Sequence, residues 1–125
     1  MTWRALLIFL STAWFSTASA DPSDKFLQLK KSIDTQQLEQ ALLELKREET
    51  NNTLSDVEFL LLTSYFMAES GKPSKALEFA EKAEFSTTGY ESEIAEAKAR
   101  AFLQQGDLEQ ADEYADLSLV SDGDN

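Results

Sequence analysis

The sequence predicts an all-α fold in which three helix–turn–helix hairpins stack in a row. Three observations predict it. Apolar residues recur at three- and four-residue steps, and no segment sustains the alternation of a strand. Short polar or glycine-bearing breaks divide this pattern into six helical stretches. A 35-residue period then relates the stretches. Leu38-Glu39-Gln40-Ala41 returns as Leu108-Glu109-Gln110-Ala111, with Pro73-Ser74-Lys75-Ala76 midway between them. A fixed period of this length marks a helical solenoid, in which one hairpin cannot cover its own faces but a stack can.

Residues 1–20 stand outside the repeat. Arg4 provides a positive start, Ala5 to Phe15 an apolar run, and Ala18-Ser19-Ala20 an A-x-A cleavage pattern. These are the three parts of a secretory signal peptide, with the mature chain beginning at Asp21. The run is shorter than the ~20 apolar residues that spanning requires and is broken by Ser11 and Thr12. Membrane contact is therefore expected only through this leader, before cleavage.

The first helix is expected from Asp21 as cap and Pro22 as its first residue, with Phe26, Leu27, Leu29 and Ile33 as its stripe. Asp34-Thr35 offers caps for the second, which carries Leu38, Ala41, Leu42 and Leu45 and ends in the polar run Glu49 to Thr53. The third opens with a capping box, Ser55-x-x-Glu58. It is apolar nearly all round, through Val57, Phe59, Leu60, Leu61, Leu62, Tyr65, Phe66 and Met67, so it needs cover on more than one side. Gly71 suits a left-handed C-terminal turn, and Pro73 opens the fourth helix, with Ala76, Leu77, Ala80 and Ala83 facing inward. Thr88-x-x-Glu91 reads as a capping box for the fifth helix, which is alanine-rich. Gly106 turns the chain and Asp107 caps the sixth, with Leu108, Ala111, Tyr114, Ala115, Leu117 and Leu119.

Composition narrows the chemistry. The chain has 125 residues, 23 acidic and 11 basic, for a net charge of −12; Arg4 is the only charge in the leader, so residues 21–125 carry −13. Such a chain repels nucleic acid, whose binding depends on Lys and Arg, and no phosphate-cradling glycine loop is present. Cys and His are both absent, which removes disulfides, thiolate or imidazole metal ligands, and Cys or His nucleophile–base pairs. Asp122-Gly123-Asp124-Asn125 is too short for a calcium loop. Neighbouring carboxylates such as Glu91 and Glu93 read as solvated helix faces, so no catalytic residue, metal or cofactor is expected.

The Gly71-Lys72 and Gly106-Asp107 turns, the alanines that follow them at 76 and 111, and the period resemble the tetratricopeptide repeat. The resemblance covers the mature chain in units of about 22–54, 55–89 and 90–125. It departs from the family at several positions. The early aromatic is Leu60 and then Ala95, the Leu-Gly pair is Thr63-Ser64 and then Lys98-Ala99, and no proline follows the outer helices.

What the resemblance implies is a right-handed solenoid whose inner helices line a concave groove for a peptide or protein segment. Carried over by distance from each turn, the groove would hold Phe26, Lys30, Glu58, Leu61, Tyr65, Glu96, Arg100 and Leu103. Leu61 and Tyr65 read equally well as core between units. The expected function is an exported adaptor, periplasmic or secreted, that is not an enzyme. Two rivals stand beside it. The chain is the N-terminal repeat region of a larger envelope or secretion protein or enzyme, because the next unit would begin near residue 127; or it is a dimerisation module. Under either, Leu117, Leu119 and Val120 would meet another chain segment or a second copy.

Overall fold

Three left-handed turns at 35-residue intervals set the frame. Gln36, Gly71 and Gly106 have φ of 64°, 80° and 82°. Each ends a helix with the same pair of hydrogen bonds. At the first turn Gln37 N–H reaches Ser32 C=O (2.8 Å) and Gln36 N–H reaches Ile33 C=O (3.0 Å). At the second, Lys72 reaches Met67 (2.8 Å) and Gly71 reaches Ala68 (3.1 Å). At the third, Asp107 reaches Phe102 (2.9 Å) and Gly106 reaches Leu103 (3.1 Å). This is the Schellman closure, which satisfies carbonyls that a helix end leaves open.

A computed structural model describes residues 22–86 and 89–123. They form α1 (Asp24–Asp34), α2 (Leu38–Asn51), α3 (Asp56–Glu69), α4 (Pro73–Ser86), α5 (Glu91–Gln105) and α6 (Leu108–Gly123), with no strand among the described residues. Leu38, Pro73 and Leu108 open α2, α4 and α6, each 35 residues after the last. The signal-peptide segment, residues 1–20, lies outside the described residues.

Consecutive helices pack on one another, and in addition α1 packs on α3 and α3 on α5. The inner helices α1, α3 and α5 thus form one layer with α3 at its centre, and α2, α4 and α6 lie behind them. This accounts for the apolar surface of α3: Val57, Leu61, Leu62, Tyr65 and Ala68 are all buried. Each outer helix meets its hairpin partner through an alanine at the same register, and Ala41, Ala76 and Ala111 are all buried. Alanine permits the close approach because interaxial distance follows the side chains at the contact. Ala76 C=O also accepts the buried Ser64 hydroxyl at 2.7 Å.

Helix starts follow the expectation on α3, α4 and α6 and depart from it elsewhere. The Ser55–Glu58 capping box forms in both directions, Pro73 opens α4, and Asp107 Oδ1 accepts Gln110 N–H. The α1 cap is Ser23, which also donates to Glu58 on α3 and so is held in place from across the layer; the expected cap, Asp21, lies outside the described residues. Asp34-Thr35 does not cap α2; its N-terminal flank is Gln37, which makes no side-chain cap, since the Schellman turn takes up residues 35–37. α5 opens at Tyr90, two residues after the expected Thr88, which lies outside the described residues.

Candidate functional site

The eight residues expected in the groove separate into core, ion network and open surface. Phe26, Leu61 and Tyr65 lie in the core, because α3 is covered by α1 on one side and α5 on the other. The Phe26 and Tyr65 rings meet at 6.2 Å. Of the two readings of Leu61 and Tyr65, core is the one the structure adopts, and Phe26 joins them. Glu58 is also buried, at 3 % exposure. Its carboxylate accepts Ser23 N–H (2.7 Å), Ser23 O–H (3.0 Å), Ser55 N–H and Tyr90 O–H (both 3.4 Å). It therefore ties the starts of α1, α3 and α5 together and does not face a groove. Burial and the Glu58 charge push the Tyr90 phenol upward.

Lys30, Glu96 and Arg100 meet above Tyr65. Lys30 Nζ lies 3.2 Å from Glu96 and 3.7 Å from Asp34. Arg100 reaches Glu96 and Asp34 at 2.7 Å each and Glu69 at 3.8 Å, and Glu69 accepts Gln36 Nε2 at 2.7 Å. The Arg100 guanidinium also lies over the Tyr65 ring, 4.5 Å from its centroid. Burial acts to lower the Arg100 pKa, but the bonds to Glu96 and Asp34 outweigh it and raise the guanidinium further. Tyr65 is held well above the usual phenol value, first by burial and then by the Glu96 charge.

Lys30 and Arg100 thus find partners within the chain, and a peptide laid along the α1–α3–α5 layer would have to displace them. Asp34 and Glu69 were not among the expected site residues. Their signal was in the period, since they occupy the same position in successive units.

The open surface lies between α5 and α6, and Leu103, Glu96 and Arg100 belong to it. It is a groove of about 710 Å³ with Ala99, Ala111 and Ala115 on its floor and Leu119 at its far end. Leu103 is 58 % exposed and Leu119 70 %. Behind the groove the helices are tied by the stacked Phe102 and Tyr114 rings, 5.6 Å apart. At the far end the Ser92 hydroxyl donates to Ser118 C=O and the Ser118 hydroxyl to Ser92 C=O.

The groove repeats a face already in use. On α3–α4 the same positions are Ser64, Ala68, Ala76 and Ala80, all fully buried, with Ala68 and Ala76 in one cluster with Ala101 of α5 and Ala80 in one with Ala97. Among the described residues no further helix covers Ala99, Leu103 and Ala115 in that way, and Ala111 is buried by its own hairpin alone. The described residues contain no group of three acidic side chains placed to hold a metal and no helix long and apolar enough to cross a membrane. The lining is mainly alanine and leucine, with Glu96, Asp112, Ser118 and the paired Arg100 as its polar groups, which suits it to holding an apolar surface.

No family model matches the chain, and neither curated proteins nor solved structures return a match. Among the described residues the molecule is six consecutively packed helices with recurring turns and an open helical face between α5 and α6.

Proposed function

We propose that this protein is an exported interaction adaptor of tetratricopeptide-like repeats, a right-handed solenoid that holds a protein segment and carries out no reaction. The observation that carries this reading is the α5–α6 groove, an apolar face exposed where its counterpart one unit earlier is covered by a helix. Exposed apolar surface of this kind, rimmed by charge, marks interaction sites. The binding surface is moved from the concave row to this end of the stack, because the row's own charges pair with one another. Export, to the periplasm or beyond, rests on the leader pattern of residues 1–20.

A second reading is self-association through the same face, which the exposed Leu103, Leu108 and Leu119 of the groove favour. Photo-cross-linking separates the two. A cross-linking residue at Leu103 or Leu119 of the full chain, in cells that make it, is expected to capture a partner of defined mass. The same residue at Leu43 or Phe85, which are also exposed and apolar, is expected to capture none. Equal capture at all four positions, or none at 103 and 119, overturns the assignment, and a cross-link between two copies selects self-association.

A further inference from the structure

The geometry points to one occupant for the α5–α6 groove: an amphipathic helix of a partner protein, with a stripe of small apolar residues and Lys or Arg near its C-terminal end. It would sit on α5–α6 as α5 sits on α3–α4. This deepens the interaction reading above and rests on it.

Register fixes the seat. The stripe Tyr90, Ile94, Ala97 and Ala101 of α5 closes over α3–α4, its residues four, three and four apart. The alanine floor at 99, 111 and 115 reproduces most of the seat 35 residues on and permits close approach there. Leu103 stands where α3 has Ala68, which packs beside Ala101, so the occupant's residue there must again be small.

Two exchanges between the seats set the polarity. Leu77, partly buried beside Ala68, Ala76 and Ala101, becomes the exposed Asp112. An apolar residue opposite would strip water from that carboxylate without pairing it, whereas Lys or Arg pairs it. The contact falls at the end of the occupant that corresponds to Ala101, its C-terminal end, where a cation also suits the helix dipole. Glu84, which holds Lys98 of α5 at 2.8 Å, becomes Leu119, so the occupant is apolar where α5 is basic.

Charge favours such a helix over a second copy. α6 carries Glu109, Asp112, Glu113 and Asp116 and no Lys or Arg, and Arg100 in the groove wall is engaged by Glu96 and Asp34. Two copies joined through this face would bring together the two Asp112 carboxylates that line it, with −12 on each chain. The matching stripes on α1 and α5 are already buried. On α2, the exposed Leu42 and Leu43 beside Lys46 and Arg47 are bulkier than the small stripe the seat requires.

Two labelled peptides spanning Tyr90–Gln105 test this against the full chain by fluorescence anisotropy. Both carry Lys98→Leu; one carries Gln104→Lys and Gln105→Lys, the other Gln104→Glu and Gln105→Glu. The lysine peptide is expected to bind about tenfold more tightly. In the Asp112→Lys protein the order is expected to reverse, with helicity unchanged because Asp112 is exposed.

Failure of the lysine peptide to bind, equal binding of the two, or a preference that Asp112→Lys does not move overturns the proposal. So does a dimer in sedimentation that Leu103→Glu dissociates, or a cross-link from position 103 to the chain's own residues 1–21. A partner captured at position 103 through an acidic or non-helical segment sinks the basic helix and leaves the adaptor reading standing. Absence of any partner at 103 and 119 sinks both.

Discussion

Tyr65 lies where α1, α3 and α5 meet. Its ring packs on Phe26 and lies beneath Arg100, and its hydroxyl donates to Glu93 C=O at 3.2 Å. Burial, with the Glu96 charge second, raises its pKa well above 10.0. The sign follows from that direction. An unfolded tyrosine ionises near 10, so the stabilisation is fully present below pH ~10 and is lost as pH rises towards the folded value. Tyr65→Phe keeps the ring and removes the hydroxyl, and is expected to cost about 0.5–1.5 kcal/mol at pH 7. Urea midpoints measured at pH 8 and pH 11 should show the gap between the two proteins closing. A constant gap would mean that Tyr65 does not govern the alkaline transition.

The resemblance, carried over by distance from each turn, left Tyr65 divided between core and groove, and it placed Glu58 in a groove. The local role of Glu58, its capping box with Ser55, was legible from four adjacent residues. Its bonds to Ser23 and Tyr90 were not, because those residues lie 35 and 32 positions away and meet it only when the inner helices line up.

Among the elements, the turns matter most. All three inner turns need a left-handed residue, and the first has Gln36 where the others have glycine. A side chain there costs about 1–2 kcal/mol relative to glycine, against which stands the exposed Gln36–Glu69 bond, of the order of a few tenths. Gln36→Gly is therefore expected to stabilise the chain by about 0.5–1 kcal/mol, read as a higher denaturant midpoint with unchanged slope. A lower midpoint would show that the bond to Glu69 outweighs the backbone strain. The alanines at the start of α2, α4 and α6 and the two glycine turns were readable because the period repeats them. Helix starts were less so: Ser23 caps α1 because Glu58 holds it from across the layer, and Asp34 does not cap α2 because the Schellman turn takes up residues 35–37.

For the molecule as a whole, acidity opposes compactness, and the chain carries 23 acidic against 11 basic residues. The inter-helix pairs above Tyr65 act the other way and, being partly buried, are screened less than exposed charges. Raising sodium chloride from ~0.01 to ~0.15 M should therefore raise Tm by a few degrees, the scale of roughly 0.5–1 kcal/mol in a domain of this size. A fall in Tm would show that the ion network, and not self-repulsion, dominates.

Helix content, hairpin order and turn positions follow from the order of residues alone, because each depends on neighbours within a few positions or on a period that repeats them. Which charges pair and which apolar face stays open depend on how helices 35 residues apart lie against one another. Arg100 and Tyr65 occupy the same place in successive units, yet one is a buried ring and the other the cation over it. Only packing could make that distinction, since α3 has a helix on each side and α5, among the described residues, has an inner helix on one.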